Sequence, residues 1–229
     1  MAEKLLSIIV PIYNEDKIAV DSLPAIFELA VNKEVIVVND GSTDNTATVL
    51  EVLAEHYDFR LINQPTNQGK GAAIQRGLKE IRGDYFIICD ADQEYDPQDI
   101  ILLFNAIQAD PDQRTVIYGS RFLARRLRSF HYFVNRFLTA LTNKLFGSQL
   151  TDMETCFKLV PRTALDNIRL RGRRFEIEPE ITAQLLKNGY LIKEFPIRYA
   201  RRGYAEGKKI KARDGLLAVL ALLREKLFR

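Results

Sequence analysis

A chain of 229 residues with 47% hydrophobic content is long enough for one well-filled core and at most one domain with an appendage. Cys89 and Cys156 stand far apart, with no CxxC or histidine ligand spacing near either. That excludes a zinc site and a disulfide framework and fits a reducing cytoplasm. The net charge of +3 hides a division, since residues 1–119 hold 9 basic and 20 acidic side chains and residues 120–229 hold 24 and 10, which predicts an anionic partner for the second half.

In chain order, the first expected element is a strand over "LLSIIV" (5–10), leading to polar "PIYNED". Its apolar stretch is too short for a signal sequence. "EVIVVN" (34–39) reads as a second strand, followed by "DGSTDN" and an amphipathic helix over 45–57 with Ser42 or Thr43 as N-cap. A strand over 59–63 precedes "NQGKGAA" and a helix over 71–81. This segment lacks the first Gly and the following Ser or Thr of a P-loop, and Lys70 between Gly69 and Gly71 is either a solvated lysine at a flexible helix start or one that glycine lets approach an anionic ligand closely. "YFIIC" (85–89) is a fourth strand and runs into "DADQEYDP", and "TVIYG" (115–119) is a fifth. The helix between them, over 97–108, gains Asp96 as its cap and Asp99 in its first turn.

Strand followed by helix, repeated, predicts an α/β fold with a mostly parallel sheet and helices on both faces. Ligands of such sheets gather beyond the carboxyl ends of the strands, where the sequence is polar and acidic. Asp90, Asp92 and Glu94 alternate past the tip of the fourth strand, and three ionised acids so close repel one another unless a cation lies between them. An all-oxygen set favours Mg²⁺ or Mn²⁺.

The basic half continues the pattern. Arg121, Arg125, Arg126 and Arg128 in "RFLARRLR" offer guanidinium forks to a phosphate. Residues 129–147 predict a helix that either packs on the core or lies in a membrane interface. "FEIEPEI" puts Glu176, Glu178 and Glu180 around Pro179 at a helix start. "RRGYAEGKKIKARDG" (201–215) is either a solvated connector or a basic loop whose Arg202, Lys208 and Lys209 contact an anionic ligand, and the final helix over 215–229 has eight apolar residues in a row before a basic tip. It is too short to span a bilayer, which predicts a protein that is soluble or sits on a membrane surface. His56 and His131 lack any partner motif and are expected at the surface.

"PIYNE" (11–15), "VVNDGSTD" (37–44), "NQGKGAAIQRGL" (67–78), "DADQE" (90–94) and "GSR" (119–121), in that order, resemble the motifs of family-2 inverting glycosyltransferases. "TDMETCFKL" (151–159), "RFEIEPEITAQLLKNGY" (174–190) and "YAEGKKI" (204–210) resemble the branch holding dolichol-phosphate mannose synthases and polyprenyl-phosphate glycosyltransferases. The resemblance implies a GT-A fold over 1–200, with 201–229 as a basic loop and amphipathic helix of the same unit. It implies a nucleotide-diphosphate sugar lying over the strand tips, with Pro11, Tyr13 and Glu15 at base and ribose and Asp40 near the base. Asn39 departs from the acid common at its position.

On this reading the cation is held chiefly by Asp92, with Asp90 and Glu94, and Arg121 meets an acceptor phosphate. A lipid phosphate is already anionic and needs no strong base, whereas a hydroxyl acceptor would need one, for which Asp152 is the candidate. The expected activity is sugar transfer to a polyprenyl phosphate at the cytoplasmic membrane face. The alternatives are a saccharide or protein acceptor, or nucleotide binding without turnover. Nucleic acid is not an expected partner, because the aromatics interleave with apolar residues and form no stacking platform.

Overall fold

The computed structural model describes residues 3–110, 112–123, 130–200 and 212–228. Strand β1 (Leu6–Ile12) leads to helix α1 (Asp16–Phe27), and β2 (Lys33–Asn39) to α2 (Thr46–Ala54). Then β3 (Arg60–Asn63) leads to α3 (Lys70–Leu78), and β4 (Tyr85–Ile88) to α4 (Gln98–Gln108). After β5 (Thr115–Ser120) come α5 (Phe130–Phe146), β6 (Lys158–Pro161), a 3₁₀ turn (Arg162–Asp166), α6 (Ile177–Lys187), β7 (Leu191–Pro196) and α7 (Ala212–Leu227).

The seven strands form one sheet in the order β3-β2-β1-β4-β6-β5-β7. All pairs are parallel except the two that β6 makes with β4 and β5. The expected mostly parallel sheet is therefore observed. Alternation along the strands explains their unbroken apolar runs. Leu6, Ile8 and Val10 of β1, with Val35 and Val37 of β2, join a core that includes α1, α2 and α4. Ile9, Ile36 and Val38 pack on the opposite side with α3 and α6. Both faces are covered, so both alternate sets of positions are mostly apolar, and a polar exception such as the buried Ser7 is hydrogen-bonded, its hydroxyl donating to Glu34 Oε1.

Three elements have weak sequence signals. Pro24 lies inside α1, β6 is four residues long and contains a lysine, and β7 alternates exposed and half-buried positions with charges between them. A smaller cluster of Leu138, Leu150, Met153, Ala183, Ala218 and Leu222 joins α5, α6 and α7. Helix α5 thus buries one side in a core. Phe133 and Phe137 on α5, and Leu216, Leu220, Leu223 and Leu227 on α7, remain exposed. Among the described residues no helix is long and apolar enough to cross a membrane.

Candidate active site

From β1 the chain winds outward through β2 and β3, then returns to the other side of β1 as β4. Such a switch in strand order opens a crevice at the carboxyl ends, and the segments after β1 and β4 meet there. Asn14 adopts φ +50°. Its backbone N–H donates to Ser42 Oγ at 3.0 Å, and its side-chain oxygen accepts the Thr43 N–H at 2.8 Å. Ser42 and Thr43 therefore tie two loops together and are not the expected caps. Asn45 occupies the cap position without a side-chain bond, and Asp44 before it accepts the N–H of Thr46 at 3.0 Å and its hydroxyl at 2.5 Å. Pro11, Tyr13 and Glu15 stand partly exposed along this rim.

Asp40 is only 2% exposed. Its Oδ1 accepts from Gln64 Nε2 (2.7 Å) and the Gln68 N–H (2.8 Å), and its Oδ2 accepts the Gly69 N–H (2.8 Å). Both oxygens help close the 64–69 loop, and Oδ2, which accepts a single bond there, keeps a lone pair for the nucleoside contact expected of Asp40. Beside it, Asn39 donates its amide to Asn63 Oδ1 and accepts the Ser42 N–H, a pairing of roles that an ionised acid cannot fill.

Gly71 also lies close against the protein's own backbone. A β-carbon built there would lie 2.4 Å from the Gly172 carbonyl oxygen and 2.8 Å from backbone atoms of Arg173 and Arg174. The close approach it permits is to the 172–174 backbone. The Ala72 N–H donates to the Arg173 carbonyl at 3.0 Å, and Gln75 Nε2 to that of Gly172 at 2.7 Å. Glu180 shapes that loop by accepting the N–H groups of Arg171 and Gly172.

Past β4, Asp90 and Asp92 lie on a turn completed by Gln93 at φ +58°. Burial, followed by the charges of Asp90 and Glu94, pushes the Asp92 carboxyl up to about 7. Its Oδ1 accepts the Glu94 N–H at 3.0 Å. Glu94 is turned to Tyr199, whose hydroxyl donates to Oε2 at 2.6 Å. Among the described residues no three His, Cys, Asp or Glu side chains are grouped so as to hold a metal ion. The convergence of all three acids is thus corrected, because Glu94 anchors the segment from β7. Asp90 and Asp92 suit a divalent cation as hard oxygen donors, provided other ligands come from a substrate, and Lys70 offsets only part of the upward push on the Asp92 carboxyl.

Lys70 Nζ lies 2.7 Å from Asp90 Oδ2 and 3.3 Å from Glu178 Oε1. Burial works against its charge, but the two carboxylates outweigh this and hold it above the ordinary lysine range. Glu178 is gripped from its other side by Lys158, whose Nζ donates to Oε2 at 2.5 Å and to the Glu178 carbonyl at 3.0 Å. Lys158 is fully buried. Asp90, Lys70, Glu178 and Lys158 thus alternate in sign along one chain of contacts. A lone lysine inside the apolar run "CFKLVP" was the available signal for Lys158, and the family likeness pointed to one of Glu176, Glu178 and Glu180 without choosing among them.

Arg121 is 9% exposed and Asp152 is sealed completely. Arg121 Nε and Nη2 donate to the two Asp152 oxygens at 2.7 Å each, and its backbone N–H adds a bond of 3.0 Å. Tyr95, Phe122 and Tyr199 surround the guanidinium, with ring centroids 5.3–5.9 Å from Cζ. Asp152 holds Arg121 with both oxygens and no solvent reaches it, so a role as base for a hydroxyl acceptor would require this pair to part. A cavity of about 710 Å³, lined in part by Asp90, Glu94, Tyr95, Arg121, Arg198 and Tyr199, connects Arg121 with the acidic turn. Glu154, partly buried, has a sealed Oε1 with no hydrogen-bond partner among the described residues, and burial pushes its carboxyl up to about 7. Arg125, Arg126, Arg128, Arg202, Lys208 and Lys209 lie outside the described residues.

A mostly parallel sheet, an acidic turn at its switch point and buried cations beside that turn define a GT-A glycosyltransferase. The Glycosyl transferase family 2 model matches residues 7–169, and the chain belongs to that family. A dolichyl-phosphate beta-glucosyltransferase of Trichomonas vaginalis is 30% identical over 242 residues, covering 97% of this chain and 73% of the relative. A dolichol-phosphate mannosyltransferase of Pyrococcus furiosus is 26% identical, covering 89% of this chain and 58% of its own length. The fold is also that of glucosyl-3-phosphoglycerate synthase from Mycobacterium tuberculosis in complex with Mn²⁺, uridine diphosphate and phosphoglyceric acid. That match has a TM-score of 0.77 at 16% identity and covers 99% of this chain and 80% of the other.

Proposed function

We propose that this glycosyltransferase moves a sugar from a nucleotide diphosphate to a polyprenyl phosphate at the cytoplasmic face of a membrane, with inversion. The donor lies over the β1 and β4 tips, its nucleoside along Pro11, Tyr13 and Glu15. Asp92 and Asp90 would hold Mg²⁺ or Mn²⁺ against the diphosphate, where the ion supplies charge neutralisation as the diphosphate departs. An acceptor phosphate oxygen attacks the anomeric carbon, the new carbon–oxygen bond forms, and the nucleoside diphosphate leaves with the electron pair of the broken one. Arg121 faces the cavity and is held rigid by Asp152, which suits it to orient the acceptor phosphate.

The observation that carries the acceptor class is the burial of Asp152 behind Arg121. The residue expected to serve as base for a hydroxyl is locked, and an anionic phosphate needs no such base. The dolichyl- and dolichol-phosphate activities in the relatives' names support the same class. The test supplies nucleoside diphosphate sugars of uridine and guanosine, Mn²⁺, and a short-chain prenyl phosphate, with product identified by mass. A hexosyl phosphoprenol is expected, and Asp92→Asn should lower its rate on the order of a hundred-fold or more. Product on saccharides alone, with prenyl phosphate inert, would sink the assignment.

A further inference from the structure

We infer that Lys70 is a built-in counter-ion of Asp90, which makes the divalent cation and the nucleotide diphosphate bind as an interdependent pair. The inference rests on the reading above that Asp90 and Asp92 hold the cation, and it adds the order in which charges are exchanged. Lys70 is no loosely placed surface lysine. Its side chain is 15% exposed and contacts Asp90 and Glu178 together, and Glu178 is in turn fixed by the fully buried Lys158. The ammonium is therefore held on one of the two carboxylates that a cation needs. A divalent ion arriving alone meets that like charge at contact range, where repulsion is strong in a partly buried setting.

Compensation from the protein is small. Asp92 has one oxygen engaged by the Glu94 N–H, and Glu94 is bonded to Tyr199. A diphosphate changes the balance in two ways. It brings its own oxygens to the cation, and it offers Lys70 another anion at the N-terminus of α3, where Lys70 is the first residue and the helix dipole favours negative charge. As the ammonium turns toward the diphosphate, Asp90 is released to the cation. Coupling between two ligands is reciprocal, so each should tighten the other equally.

The test measures Mn²⁺ binding from the loss of the free-ion paramagnetic resonance signal, alone and with uridine or guanosine diphosphate. Wild-type protein should bind Mn²⁺ at least ten-fold more tightly with the preferred nucleotide. Lys70→Met should bind Mn²⁺ alone at least ten-fold more tightly than wild type, with the nucleotide effect reduced, while Lys70→Arg keeps wild-type behaviour. Adding Asp92→Asn to Lys70→Met should remove the gain, which places the ion at this turn. The wild-type arm needs no variant to fold, and equal Mn²⁺ affinity with and without nucleotide overturns the inference. Equal nucleotide-free affinity in wild type and a folded Lys70→Met also overturns it but leaves the proposed function standing. Failure of every protein to bind Mn²⁺ with either nucleotide overturns both.

Discussion

Glu154 shows how one partly buried residue sets a pH response. Its Oε1 is sealed without a partner among the described residues, and burial raises its carboxyl from 4.5 to about 7, with Lys158 opposing and Glu178 reinforcing the shift. A raised acid binds its proton more tightly in the folded chain than in the unfolded one. Its contribution to stability is therefore complete below pH 4.5 and is lost as pH rises through about 7. Glu154→Gln removes the ionisable group while keeping the shape. The melting temperatures of variant and wild type should coincide near pH 4.5 and separate by pH 8, with the variant higher by the equivalent of up to roughly 3 kcal/mol. A gap independent of pH would show that Glu154 does not titrate in this range. Lys158 is identifiable in sequence as a charge within an apolar run, whereas Glu154 sits in the polar stretch "TDMET" and is not.

At the scale of elements, α3 is positioned by backbone contact with the loop before α6. Gly71 has no room for a methyl group, because the atoms in its way are backbone atoms of residues 172–174. Gly71→Ala should lower stability by about 1–3 kcal/mol and displace Lys70 from Asp90, which urea unfolding and the Mn²⁺ measurement can follow separately. Gly215, in α7, has only Val134 Cγ1 nearby at 3.8 Å. Gly215→Ala should therefore raise stability by roughly 0.5–1 kcal/mol through helix propensity. Opposite signs are the check, and destabilisation by both would mean that α7 needs glycine for another reason. The sequence signalled β1, β2, β4 and β5 by apolar residues on both faces, and the short β3 by Leu61 and Ile62 between an exposed Arg60 and Asn63. It signalled β6 and β7 poorly, since a four-residue strand with a lysine and an alternating edge strand carry little pattern of their own.

For the whole molecule, the question is how a chain with no membrane-crossing helix among its described residues would meet a lipid acceptor. Helices α5 and α7 pack together while leaving Phe133 and Phe137, and Leu216, Leu220, Leu223 and Leu227, exposed. Arg136, Lys144 and Lys226 stand among or near these residues in the same helices. Exposed apolar side chains with interspersed cations suit an anionic bilayer surface. Co-sedimentation with vesicles containing phosphatidylglycerol should fall several-fold on replacing Phe137 and Leu220 together by serine, while turnover of a water-soluble prenyl phosphate stays unchanged. Loss of both, with the fold intact, would place these side chains in the active site.

The sequence by itself determined the α/β class, the strand tips as the place of chemistry and the family motifs, because apolar periodicity and the order of polar segments are local properties of the chain. Only the tertiary structure decided which acid meets which base. Asp40 closes a loop, Asp152 locks Arg121, Glu94 faces Tyr199, and Lys70 joins Asp90 to Glu178, residues 88 positions further along. A carboxylate's role is fixed by its nearest donors and by its distance from water, and folding supplies both from remote parts of the chain.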